Sequence, residues 1–113
     1  MTINERIRKV RGTVELTQPK FAERIAISLS YLAEIEYGNK PATERIIRLI
    51  SAEFNVDEQW LRTGVGSMFN EGIDVQISKL ISIFKSLNKQ FKECAINQMK
   101  VLADLQNQDK ADK

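Results

Sequence analysis

The sequence predicts an all-α protein on three observations. Apolar residues recur at helical spacing along nearly the whole chain, as in Ile3, Ile7, Val10 and Val14 or in Ile77, Leu80, Ile81, Phe84 and Leu87. Strand signals are weak. Glycine, proline and capping residues divide the apolar runs into lengths suited to short helices. With 113 residues, 42% of them apolar and 28% charged, the composition is globular and supports one core with a short extension.

The first helix turns Ile3, Ile7, Val10 and Val14 inward and is expected to end near Gly12. The second opens in "LTQPKFAERI". Thr17 is the expected N-cap, and Pro19 sits in the first turn, where a missing N–H is tolerated. Phe21, Ala22 and Ile25 face inward. The third helix runs from about Leu29 to Tyr37 and is stopped by Gly38; a loop from Glu36 through Pro41 follows. Thr43 and Glu44 start a fourth helix with Ile46, Ile47, Leu49 and Ile50 on its buried side. Asp57 caps a short fifth helix that carries Trp60 and Leu61 and closes at Gly64. The stretch "GVGSMFNEG", with three glycines, reads as a boundary between a domain at 1–69 and a tail at 70–113. Met68 and Phe69 are expected to cover the base of the first domain. In the tail, Asn88 caps the second of two helices, whose stripe is Phe91, Ala95, Met99, Leu102 and Leu105. The closing "QNQDKADK" is polar and expected to fray.

Several function classes are disfavoured. There is no histidine and one cysteine, Cys94, so His-based triads, His metal sites, thiolate cages and internal disulfides are unavailable. A lone cysteine suits a reducing cytoplasm. No glycine-rich phosphate loop is present, and Asp57 and Glu58 are neighbours that point apart on a helix. No enzyme activity, metal or cofactor is expected. No apolar run reaches the roughly 18 residues of a membrane span, and "MTINERIRKV" lacks the apolar centre of a signal peptide. The net charge of +2 is too mild to announce nucleic acid by itself.

The informative stretch joins the second and third helices. The link "AISLS" is so short that the two helices must cross steeply, as in a helix-turn-helix. That geometry needs a small residue where the helices cross, met by Ala22, and a residue able to take the turn, Ala26. It needs an apolar plug beneath the turn, Ile27, and two apolar anchors on the second helix, Leu32 and Ile35. The face opposite those anchors carries Ser30, Ala33, Glu34 and Tyr37, with little of the long charged cover usual on a solvated helix.

With these residues in place, "LTQPKFAERIAISLSYLAEIEYGNKPATERIIRLISAEFNVDEQWLRTG" resembles the DNA-binding domain of lambda-repressor-like, or XRE, regulators, over about residues 3 to 69. "WLRTGVGSMF" is similar to repressors of phages and mobile elements. The resemblance implies a five-helix lambda-repressor-like DNA-binding domain, followed here by a two-helix C-terminal oligomerisation segment. It departs at Ala26, where the family usually has glycine in a left-handed conformation; alanine there costs on the order of 1 kcal/mol. It also implies an ion pair between Arg11 and Glu36.

The family geometry sets the third helix in the DNA major groove, where base edges carry a full donor and acceptor code. Ser28, Leu29 and Ser30 then lie at the base-reading end, with Glu34 one turn on, able to accept from cytosine N4. Gln18 is the candidate for a bidentate or phosphate contact, helped by the N–H groups of its helix start. Tyr31, Asn39 and Lys40 are candidates for backbone contacts. Each has a plainer role open to it. Ser28 and Ser30 can cap the helix, Leu29 can be an incidental exposed leucine, and Glu34 and Lys40 can be solvated charges; Tyr37 stands open between packing and contact.

Related regulators bind two half-sites about 34 Å apart as dimers. The tail supplies candidate dimerisation residues in Ile77, Leu80, Ile81, Phe84, Leu87, Phe91 and Leu102; the alternative is that they pack back on the first domain. The expected function is a cytoplasmic, sequence-specific regulator of double-stranded DNA, a phage or mobile-element repressor binding a two-fold symmetric operator as a homodimer. Its control would come through a protein partner such as an antirepressor, and no membrane is involved. An antitoxin or restriction controller of the same fold, or a protein-interaction module without specific DNA binding, are the alternatives.

Overall fold

A computed structural model of the chain describes residues 1–111. Among the described residues there are seven helices: α1 (Ile3–Thr13), α2 (Gln18–Arg24), α3 (Leu29–Glu36), α4 (Glu44–Phe54), α5 (Glu58–Thr63), α6 (Val75–Ser86) and α7 (Lys89–Ala111). The all-α expectation is met. None of these helices is long and apolar enough to cross a membrane.

Local chemistry accounts for most of the helix ends. At the start of α1, the Thr2 hydroxyl accepts from the Glu5 N–H while the Glu5 carboxylate accepts from the Thr2 N–H, a reciprocal cap. Thr17, Ser28, Thr43 and Asp57 each accept a backbone N–H three residues on, opening α2 to α5. α1 ends at Thr13, near Gly12 as expected, and the left-handed residue that reverses the chain is Glu15, at φ +58°. Val14, the C-cap, lies in the core at 4% exposed. The Leu16 N–H reaching the Arg11 carbonyl and the Glu15 N–H reaching that of Gly12 close the end, at 3.2 Å each.

The core gathers Ile7, Val10, Phe21, Ile25, Leu32, Ile35, Ile46, Ile47, Ile50 and Leu61 from α1 to α5. Phe54, at the end of α4, joins it by stacking on Phe21 with ring centroids 4.8 Å apart; Leu49 is only half-buried. Past α5 the chain folds back. The Asp57 N–H donates to the Met68 carbonyl and the Asn70 N–H to that of Asn55, each at 2.9 Å. Phe69 is thereby buried and Met68 packs beside it, covering the base of the domain as expected.

Arg6 is an unusual core member, 7% exposed and, among the described residues, bonded to carbonyls rather than to a carboxylate. Its guanidinium donates to the carbonyls of Leu61 and Arg62, both at 2.8 Å, and of Met1. The first two are C-terminal carbonyls of α5, which a cation suits. Gly64 follows with φ +80°, and a Cβ there would meet Arg6 Nη1 at 3.3 Å.

The described chain packs as two units. The first, Met1–Ile81, holds α1 to α5 and the first half of α6. In it Asp74 caps α6 through the Ile77 N–H at 2.8 Å, Ser78 is the buried side of that helix, and Lys79 bonds Glu15 at 2.9 Å. Ile77 and Leu80 lie outside. The second unit begins at Ser82. There Asn88 caps α7 through the Phe91 N–H at 2.9 Å, and the Lys92 ammonium lies 5.6 Å from the centre of the Phe84 ring. The polar stretch expected to fray is helical through Ala111; residues 112 and 113 lie outside the described residues.

Candidate nucleic-acid interface

The turn between α2 and α3 is built as a helix-turn-helix requires. Ala26 takes the left-handed conformation at φ +58°. Its N–H donates to the Glu23 carbonyl at 3.1 Å, and the Ile27 N–H donates to that of Ala22 at 3.0 Å. Ala22 is buried at the crossing and Ile27 packs beneath the turn. Leu32 and Ile35, both fully buried, fasten α3 to the core. On the opposite side of α3, Ser30 and Tyr37 are exposed and Ala33 and Glu34 half-buried.

Two contacts from α1 fix the far end of α3. Arg11 forks onto the Glu36 carboxylate, Nε to Oε2 at 2.8 Å and Nη2 to Oε1 at 3.0 Å, and also donates to the Leu16 carbonyl at 3.1 Å. The Arg11 and Glu36 side chains are 20% and 4% exposed, so this is a largely desolvated pair. The ion pair implied by the family resemblance is therefore present. Asn4 does the second job. Its side-chain amide donates to the carbonyls of Ile35 at 2.8 Å and Lys40 at 2.9 Å, tying the loop after α3 to α1. The N–H groups of Asn39 and Lys40 both return to the Glu34 carbonyl, at 2.9 and 3.3 Å.

Gln18 joins the same network. Its amide nitrogen donates to Glu36 Oε1 at 3.1 Å, so one N–H is committed within the protein. Its amide oxygen and second N–H have no such partner among the described contacts. Arg8, Arg11, Gln18, Glu36 and Tyr37 line a cleft of about 150 Å³ here. Arg8 and Asn4 are residues the sequence reading did not single out. Asn4 finds its acceptors 31 and 36 residues away, and local spacing carries no sign of them.

The other expected site residues follow in one stretch. Ser28 is the N-cap of α3, its hydroxyl accepting from the Tyr31 N–H at 3.1 Å. Leu29 and Ser30 are exposed on the first turn, and Glu34 is half-buried. Tyr31 is half-buried with the Lys40 ammonium 5.6 Å from its ring centre. Tyr37 is 81% exposed and so is not packed into the domain. Asn39 and Lys40 are exposed at the loop. The result is a face that mixes small residues, Ser30 and Ala33, with Leu29, Glu34 and Tyr37, and has Lys40 near its rim. Such a face can approach a base-pair edge closely and meet phosphates at its rim. Among the described residues no group of acids and cysteine could hold a metal ion.

Elsewhere, Glu44 of α4 and Arg62 of α5 are joined at 2.6 Å. The hydrogen bond from Arg62 holds the Glu44 carboxyl below its usual range, and the same bond raises Arg62. Of the tail residues expected to face a partner, Ile77, Leu80, Phe91 and Leu102 are exposed; Ile81, Phe84 and Leu87 are half-buried.

Residues 4–67 match the family model described as a helix-turn-helix domain. Over 58 residues the chain is 36% identical to a protein named propionyl-CoA carboxylase regulator from Cereibacter sphaeroides. That match covers 51% of this chain and 13% of the relative. No solved structure matches at a significant level. The family match spans α1 to α5 and the α2–α3 turn at its centre, and the chain belongs to the helix-turn-helix domain family.

Proposed function

We propose that this chain is a sequence-specific regulator of transcription that reads double-stranded DNA with α3. In this reading it is a repressor of phage or mobile-element type, acting in the cytoplasm on a two-fold symmetric operator as a homodimer. The observation that carries the proposal is the outer side of α3, where Leu29, Ser30 and Tyr37 are exposed, on a helix whose end is tied to α1 by Asn4 and Arg11. Likeness over 58 residues to a protein named as a regulator supports it. Regulators built on this family's domain are generally not enzymes, and the residue inventory gives no reason to expect chemistry.

Within this reading the roles divide by reach. Leu29 and Ser30 meet base edges, Leu29 against a thymine methyl and Ser30 as a weak donor or acceptor. Glu34 accepts from a cytosine amine. Gln18, Tyr31, Asn39 and Lys40 meet phosphates and set the register. No Arg, Asn or Gln lies on the middle of α3 to read guanine or adenine from there, so sequence-dependent DNA shape carries part of the specificity.

Selection of bound sequences from random DNA at two salt concentrations tests this. A two-fold symmetric consensus whose binding weakens steeply with salt is expected. Ser30→Ala or Glu34→Gln should shift the consensus, and Lys40→Ala should weaken all sites alike and lower the salt slope by about one. No enrichment over background would sink the proposal.

A further inference from the structure

An uncovered apolar stripe runs along α7. Phe91, Met99, Leu102 and Leu105 are each half to two-thirds exposed, and they fall on one side of the helix with Ala95 and Gln98 between them. A shallow groove along this side is lined by Cys94, Gln98, Val101 and Leu102 among others. At roughly 200 Å² per large side chain, the four residues leave on the order of 450 Å² of apolar surface uncovered. That is within the range of the largest patch on a typical monomer, which is often functional. A standard interface needs roughly 800 Å² per partner, a little over half of it apolar. The apolar part of that requirement is about what the α7 stripe offers.

We infer that the stripe is covered by α7 of a second copy of this chain, running antiparallel and crossing near Gln98. Two features select the direction. The stripe is uneven in volume, with Ala95 one turn before Gln98 and Leu102 one turn after it. An in-register parallel pair would set Ala95 on Ala95 and leave a void, whereas an antiparallel pair sets the small level of each helix against the bulky level of the other. The charges also differ along the helix. Its start carries Lys89 and Lys92 against one Glu93, and its end carries Asp104 and Asp109 against one Lys110. Antiparallel pairing brings the basic start beside the acidic end and opposes the helix dipoles. Gln98 then meets its own copy at the crossing, where a side-chain amide can both donate and accept.

The pairing gives the proposed two-fold reading its second subunit, and it is testable without DNA. In the full chain carrying Cys94→Ser and Gln108→Cys, a spin label at position 108 reports the separation of the two α7 ends. Ten residues beyond the crossing at 1.5 Å rise each, the labels of an antiparallel pair stand about 30 Å apart. A separation below about 20 Å would mean a parallel pair and would overturn the inference. Sedimentation of the unlabelled full chain should give twice the 12.9 kDa chain mass at micromolar concentration. Leu102→Asp should bring it to the single mass with helix content retained. A monomeric wild type, or a Leu102→Asp dimer, would also overturn it. Sequence-selective DNA binding by a monomer would remove this pairing and leave the DNA reading; an antiparallel dimer without selective binding would do the reverse.

Discussion

Glu36 joins α1, the start of α2 and the end of α3 through one carboxylate, so its charge should matter more than that of any acid on the surface. The substitution Glu36→Gln keeps the shape and removes the charge. It leaves the Arg11 guanidinium, about four-fifths buried, with the Leu16 carbonyl as its remaining strong partner. Breaking one side of a buried pair costs about 3–5 kcal/mol. Arg11 keeps some water, so the lower figure applies, about 3 kcal/mol. For a unit of this size that lowers the melting temperature by roughly 12–24 °C. Urea denaturation of wild type, Glu36→Gln, Arg11→Met and the double replacement Arg11→Met with Glu36→Leu forms the assay. Both single variants should fall by about 3 kcal/mol, while the double should return to within about 1 kcal/mol of wild type, because no charge is then stranded. A loss below about 0.5 kcal/mol in Glu36→Gln would refute the reasoning and mean that the pair is hydrated in solution.

Three further outcomes are expected. Ala26→Gly should stabilise the protein by about 1 kcal/mol in urea denaturation, since Ala26 is exposed and sits at φ +58°; a loss of stability would show that the left-handed turn is absent. Asn4→Ala should cost about 1–2 kcal/mol and speed hydrogen exchange at Asn39 and Lys40, and unchanged exchange there would count against its role as the tie of that loop. The lowered carboxyl of Glu44 contributes stability above the ordinary carboxylate range and loses it as pH falls through the lowered value. Thermal melts of wild type and Glu44→Gln should therefore differ at neutral pH and converge in acid, and a difference that persisted in acid would contradict this assignment.

The sequence was most readable where a signal and its effect lie within one turn. Thr17, Asp57 and Asn88 cap helices through N–H groups three residues away, and Ala22, Ala26 and Ile27 define the turn within six residues. The end of α1 near Gly12 was legible to within a residue, but the left-handed residue beyond it, Glu15, was not, because its type gives no sign of that conformation. The way α3 and α5 are tied to α1 was hardest to read. Asn4, Arg6 and Gln18 find their partners 31, 55 and 18 residues away, and nothing in the spacing of those residues announces it. Arg11 and Glu36 were reached only through family resemblance.

Arg6 separates two responses to ionic strength. Salt screens exposed pairs such as Glu44 with Arg62 and competes with cations for phosphates. It has little access to a guanidinium that is 7% exposed and bound to main-chain carbonyls. The strap between α1 and α5 therefore holds under conditions in which a domain of this kind lets go of DNA. Release from DNA and loss of structure belong to different salt regimes, so the protein can leave one site and arrive at another still folded.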